Sequence, residues 1–219
     1  MKKIVIQIPE KQTTTSGWLH IPAKAKALLV LAHGAGAGMD HPFMQQLATD
    51  LSEQGIGTLR FNFIYMESGK RRPDSPKVAH AAIRAALATA NKQANGLPIY
   101  LGGKSFGGRM NSQLAASESL DHIKGLIFFG FPLHATGKPG TDRAAHLNDV
   151  QIPMLFLQGT RDTLALPELI EPVCKGLDLA TLEMYDGADH SFKMLKRSGV
   201  TQEEVIKKLA ARVGEWLDA

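Results

Sequence analysis

Gly103-Lys104-Ser105-Phe106-Gly107 fits the pattern G-x-S-x-G and stands between a buried apolar run and a helical segment. The pattern puts a serine on a turn so tight that the backbones on either side nearly touch. Residues two before and two after it must then be small; Gly103 and Gly107 are, and Gly108 adds room. A helix starting just after the serine points its N-terminus at the hydroxyl and favours negative charge developing there. This is the chemistry of a nucleophile, which needs a base, and the base needs a carboxylate to orient it. His190, in Asp186-Gly187-Ala188-Asp189-His190-Ser191-Phe192, is the candidate base, and Asp162, in Gly159-Thr160-Arg161-Asp162, the candidate acid. Asp186 and Asp189 are alternative acids, too close to His190 in the chain to reach it from a separate loop. Asp189 better suits shaping the histidine loop.

Two phosphate-binding readings fail on spacing. Gly103-Lys104-Ser105 matches the end of G-x-x-x-x-G-K-[ST], but the first glycine position holds Pro98, which has no N–H. Gly34-Ala35-Gly36 begins G-x-G-x-x-G, but Met39 occupies the last glycine position.

The elements around these residues alternate. Lys3 to Ile8 and Gly17 to Ile21 predict a hairpin. Ala27 to Ala32 is continuously apolar, as a strand buried on both faces must be, and runs into His33-Gly34-Ala35-Gly36. Phe43, Leu47 and Leu51 predict a helix, Thr58 to Phe63 a strand, and Tyr65 to Ser75 a polar loop. A long helix carries Val78, Ala82, Ala86 and Ala90; Leu97 to Leu101 is a strand, and Met110 and Leu114 mark the helix after Ser105. Strands follow at Leu126 to Phe129, Pro153 to Leu157 and Leu179 to Tyr185, with a helix over Pro167 to Lys175. A final helix carries Val205, Leu209, Val213 and Trp216. The alternation means an α/β fold with a mostly parallel central sheet, an N-terminal antiparallel hairpin and helices on both faces. In such sheets function gathers beyond the carboxyl ends of the strands. Ser105, Asp162 and His190 all follow strand ends. A developing oxyanion needs two N–H donors there: Phe106 after the nucleophile, and the loop after the first buried parallel strand, Ala35 first and Gly36 second. His33, ahead of those glycines, suits a loop-bracing hydrogen bond rather than catalysis.

The 219 residues are 44% hydrophobic and 21% charged, which excludes disorder, collagen and coiled coil. The net charge of +4 is spread along the chain, and Lys70-Arg71-Arg72 is its densest cluster, so no nucleic-acid partner is expected. A single cysteine, Cys174, excludes an internal disulfide framework and a cysteine-rich zinc site. Ile4-Val5-Ile6-Gln7-Ile8 is too short for a secretory core, and no run approaches the roughly 20 apolar residues of a membrane span. The expectation is one cytoplasmic domain over residues 1–219, with no metal or cofactor and no membrane partner.

Together these residues resemble the α/β-hydrolase superfamily over nearly the whole chain. More narrowly, His33-Gly34-Ala35-Gly36, Arg60-Phe61-Asn62-Phe63, Gly102 to Arg109, Gly159 to Asp162 and Gly187 to Phe192 resemble a branch of small predicted hydrolases. That branch is similar to a testis-expressed hydrolase-like protein and related to a subunit of a histone acetyltransferase complex. The resemblance implies a serine hydrolase acting on a small-molecule ester, thioester or amide, and names no substrate. The related complex subunit implies an alternative, a weakly catalytic scaffold on the same fold; lyase or acyl-transfer chemistry on the same triad is a third. Many relatives insert a lid where this chain has only Gly130 to Val150, so a minimal cap is expected. Phe131, His134, Tyr65 and Met66 are candidate walls of the open cleft. Lys104 and Arg109 flank the nucleophile, and Lys104 is either a solvated side chain or an attractor of anionic substrate.

Overall fold

The computed structural model describes residues 1–219. Its elements are β1 (Lys2–Ile8), β2 (Thr13–His20), β3 (Ala27–Ala32), α1 (Pro42–Glu53), β4 (Ile56–Phe61), α2 (Ile64–Glu67) and α3 (Pro76–Gln93). They continue as β5 (Ile99–Lys104), α4 (Phe106–Ser117), β6 (Ile123–Phe129), β7 (Met154–Gly159), α5 (Pro167–Lys175), β8 (Ala180–Tyr185) and α6 (Gln202–Asp218). The strands form one eight-stranded sheet in the order β1-β2-β4-β3-β5-β6-β7-β8. β1, β2 and β4 pair antiparallel, and every pairing from β4 through β3 to β8 is parallel. This is the expected mostly parallel α/β sheet with an N-terminal antiparallel hairpin.

The unbroken apolar run in β3 has a direct cause. Side chains alternate across a strand, and both faces of this sheet are covered. Leu28, Val30 and Ala32 enter a core that also holds Ala82 and Ala86 of α3, Met110 of α4 and Ile170 of α5. Leu29 and Leu31 enter the opposite core, with Leu47 and Leu51 of α1 and Leu209 and Val213 of α6. Each buried Leu, Val, Ile or Met among them contributes about 1.5–3 kcal/mol. Local signals set the helix ends. Thr201 and Glu204 form a reciprocal capping box on α6, and His41 caps α1, its ring accepting from the Phe43 N–H at 3.2 Å.

Several boundaries differ from expectation: β2, expected over Gly17 to Ile21, runs Thr13–His20, and β6, expected from Leu126, begins at Ile123. The strand expected over Thr58 to Phe63 runs Ile56–Phe61, because Gly55 turns the chain at φ 73° and Ile56 already pairs with Ala27. The loop expected from Tyr65 begins instead with the short helix α2, which inserts Tyr65 into the core at 1% exposure. The strand expected over Leu97 to Leu101 extends to Lys104, so its last residue touches the serine turn. No helix is long and apolar enough to cross a membrane.

Candidate active site

Parallel registry brings the ends of β3, β5, β6, β7 and β8 to one edge: Ala32 pairs with Gly103, Lys104 with Phe129, and Gly159 with Tyr185. Ser105 links β5 to α4 at φ 50° and ψ −111°, a conformation that costs a non-glycine residue about 1–3 kcal/mol. The surroundings hold it there. The Ser105 N–H donates to the Phe129 carbonyl at 3.3 Å, and the Arg109 N–H donates to the Ser105 carbonyl at 3.1 Å. A Cβ on Gly103 would lie 2.3 Å from the Gly108 nitrogen, and one on Gly107 would lie 2.7 Å from the carbonyl oxygens of Ala32 and His33. The corner closes only with glycine at both places.

The loops after β7 and β8 bring the other two groups. His190 Nε2 stands 2.8 Å from Ser105 Oγ, and its Nδ1 stands 2.6 Å from Asp162 Oδ2. The carboxylate accepts, so Nδ1 carries the proton and the Nε2 lone pair faces the serine hydroxyl. Asp162 is 1% exposed. Its Oδ1 accepts from the Leu164 N–H at 2.7 Å, and its Oδ2 also accepts from the Gln158 amide. Burial pushes the His190 pKa below its ordinary value of 6.5, and the Asp162 hydrogen bond opposes that shift. Asp186 and Asp189 are engaged elsewhere. Asp186 accepts from Thr160, while Asp189 Oδ1 accepts from the Ser191 and Lys193 N–H groups at 2.8 and 2.9 Å and shapes the histidine loop.

His33 is fully buried and braces the loop beyond β3. Its Nδ1 donates to the Gly34 carbonyl at 2.7 Å, and its Nε2 accepts from the Phe63 N–H at 3.1 Å. Burial pushes its pKa down to about 4, so both bonds persist at neutral pH. Of the donors expected from this loop, Ala35 is exposed and its N–H has no acceptor within the protein. Gly36 corrects the expectation: its N–H donates to the Tyr65 hydroxyl at 2.9 Å and is already spent. Phe106 is the first residue of α4, where backbone N–H groups lack helical partners, and its ring packs edge-on against Phe63 and Tyr65.

The cleft above Ser105 has a volume of about 620 Å³, and its walls include Ala35, Phe43, Lys104, Leu164, His190 and Lys193. Phe131, His134, Tyr65 and Met66 are not among its walls. Phe131 is fully buried, its ring 5.4 Å from that of Phe128 and 5.8 Å from that of Phe156. Tyr65 turns inward to brace Gly36, and His134 is buried at 4% exposure with its N–H donating to the Leu164 carbonyl. Met66 reaches beneath Gly38. Apolar side chains at these loops bury more surface in the core than over an open cleft. Arg109 also lies outside the cleft walls. Sequence reasoning missed the walls from the start of α1, for which Asp40-His41-Pro42 directly after the glycine loop was the available signal. It also missed Gln158, whose Oε1 accepts from the Phe131 N–H at 2.9 Å while its amide holds Asp162. A glutamine inside the otherwise apolar run of β7 was the sign.

Lys104 is half-buried rather than freely solvated. Its Nζ donates to the His190 carbonyl at 2.6 Å and stands over the rings of Phe43 and Phe192. Burial pushes its pKa down to about 8, against the pull of Asp162 and Asp189. No group of three or more His, Cys, Asp or Glu side chains is gathered to hold a metal ion.

Solved structures share this architecture. An α/β serine hydrolase homologue from Coxiella burnetii superposes with a TM-score of 0.77 at 21% identity, covering 96% of each chain. The ferulic-acid-bound Est1E of Butyrivibrio proteoclasticus gives a TM-score of 0.79 at 18% identity, covering 99% of this chain and 100% of its own. A lidless α/β serine hydrolase from Xanthomonas campestris gives 0.77 at 22% identity, covering 100% of this chain and 95% of its own. At these identities the likeness speaks for the fold. The sequence model of the alpha/beta hydrolase domain matches residues 25–218, from just before β3 to the end of α6. The matched span holds the glycine loop, the serine corner and the acid and histidine loops together, and the chain belongs to the alpha/beta hydrolase family.

Proposed function

We propose that the protein is a serine hydrolase that cleaves a small ester, thioester or amide through an acyl-enzyme. The observation that carries this reading is the hydrogen-bonded chain from Ser105 Oγ through His190 to Asp162, at 2.8 and 2.6 Å, beside an open cleft. Ser105 Oγ attacks the substrate carbonyl carbon while His190 Nε2 takes its proton. The N–H groups of Ala35 and Phe106 hold the oxyanion. His190 returns the proton to the leaving group as the carbon–leaving-group bond breaks. Water, deprotonated by His190, then attacks the acyl-serine and restores the hydroxyl. Asp162 keeps the imidazole in the reactive tautomer and stabilises its charged form. Oxygen, sulfur and nitrogen leaving groups all fit this sequence.

We further propose that the chain falls in the branch of small hydrolases similar to the testis-expressed hydrolase-like protein, a reading that rests on the motifs around Ser105 and His190, and that it acts in the cytoplasm. Labelling by a fluorophosphonate probe, with Ser105→Ala beside it, tests the reading. Labelling of the wild type alone supports an activated serine. Absence of labelling in both defeats it in favour of a binding or scaffold role.

A further inference from the structure

The charges around the cleft are one-sided. Lys104 and Lys193 stand in its wall with His41 and His190, and no aspartate or glutamate does. The nearby carboxylates keep their charge but bond to other groups and pair with neither lysine. Asp162 lies buried beneath His190, Asp189 holds backbone N–H groups of its own loop, and Asp40 accepts from the Trp18 indole at 2.8 Å. Neither lysine forms an ion pair. Lys104 adjoins the nucleophile in sequence, and its ammonium stands 6.0 Å from the centroid of Phe43, itself a cleft wall. Of its three N–H donors, only one has a partner in the protein, the His190 carbonyl. A half-buried ammonium that has no ion-paired carboxylate and two free donors at the cleft is poised to take an anion. The start of α1 adds to the same field. His41, Pro42 and Phe43 line the cleft, the helix runs for 12 residues, and its first turn carries no acidic side chain.

We infer that the cleft is built for acyl substrates that carry a negatively charged group, bound by Lys104 close to the nucleophile and by Lys193 at the rim. This inference rests on the serine-hydrolase reading above and names its substrate class. Lys104 is the fixed contact, held by the His190 carbonyl and the two aromatic rings. Lys193 is exposed, and its effect is screened by salt.

Ester pairs in which one member carries a free carboxylate test it at low ionic strength. On the acyl side the pair is the 4-nitrophenyl half-ester of adipate against its methyl-capped diester. On the leaving side it is 3-carboxy-4-nitrophenyl butyrate against 4-nitrophenyl butyrate. The expected result is kcat/KM about tenfold higher for the charged member of at least one pair, the scale of one well-placed ion contact. Added salt lowers that advantage. Lys104→Met lowers turnover of the charged ester about tenfold more than that of its neutral partner, and Lys193→Gln does so to a smaller degree. Lys193 is exposed, so its variant keeps the test decisive if Lys104→Met does not fold. Equal or lower kcat/KM for both charged esters overturns the inference, as does a preference that survives both substitutions. Fluorophosphonate labelling separates the two levels. Labelled protein without charge preference defeats this inference alone, and unlabelled protein defeats it together with the reading beneath it.

Discussion

The chain leaves β5 and β6 at the same edge of the sheet, and the two exits have opposite fates. After β5 it makes a turn with a strained serine between two glycines that admit no side chain, and it presents the hydroxyl to a cleft. After β6 it enters the segment Gly130 to Val150, whose aromatic residue packs inward and whose 3-10 helix, Asp142–Asp149, settles on α4 through a 2.8 Å hydrogen bond between Ser112 Oγ and His146 Nε2. None of that second segment lines the cleft. Arrival at the functional edge is therefore not enough. A backbone too constrained to relax keeps its polar side chain at the surface of the cleft, whereas an apolar side chain on a longer connection moves to the nearest core.

Breaking the first exit has the largest effect. Ser105→Ala is expected to lower kcat/KM by at least about a thousandfold while the protein stays folded, read by ester hydrolysis beside a thermal melt. Gly103→Ala forces backbone apart at the corner and is expected to cost more than about 3 kcal/mol or abolish soluble expression. Gly140→Ala, on the second exit with open space around it, should stay within about 0.5 kcal/mol. Equal melting temperatures for these two alanine variants would refute the contrast. Phe131→Ala is expected to cost about 3–5 kcal/mol in denaturant unfolding and to leave KM nearly unchanged, because the ring fills core rather than cleft. A raised KM at full stability would return Phe131 to the substrate side.

Gln158 joins the two exits, since it holds Asp162 with one end and the Phe131 N–H with the other. Gln158→Leu is expected to lower kcat about tenfold and stability by about 1–3 kcal/mol, a joint loss that neither exit alone predicts. The smallest effect is on pH dependence. His190 must be neutral to accept the serine proton, and burial lowers its pKa, so the neutral form survives further into acid. The acid limb of kcat/KM should have its midpoint below pH 6.5, with activity lost as pH falls through it. A midpoint above 6.5 contradicts the burial argument.

Much of the frame was legible in the residues. The all-apolar run of β3 required cover on both faces, and both cores are present. Gly103 and Gly107 at fixed offsets from Ser105 announced a close approach, because only glycine fits where two backbones nearly touch. Asp162 and His190 were visible as the polar residues just beyond strand ends. These are local or periodic signals, written in neighbouring positions. The cleft walls were not legible in this way. Whether Tyr65 faces solvent or turns its hydroxyl to Gly36 depends on a helical turn packed against a loop 29 residues away in the chain. The partner of Lys104 lies 86 residues away. Residue types and short spacings determined the sheet, the strained corner and the order of the reactive groups. Only tertiary packing decided which side chains face the cleft, which donors stay free and which charge goes unpaired, because those outcomes depend on competition for burial among segments distant in sequence.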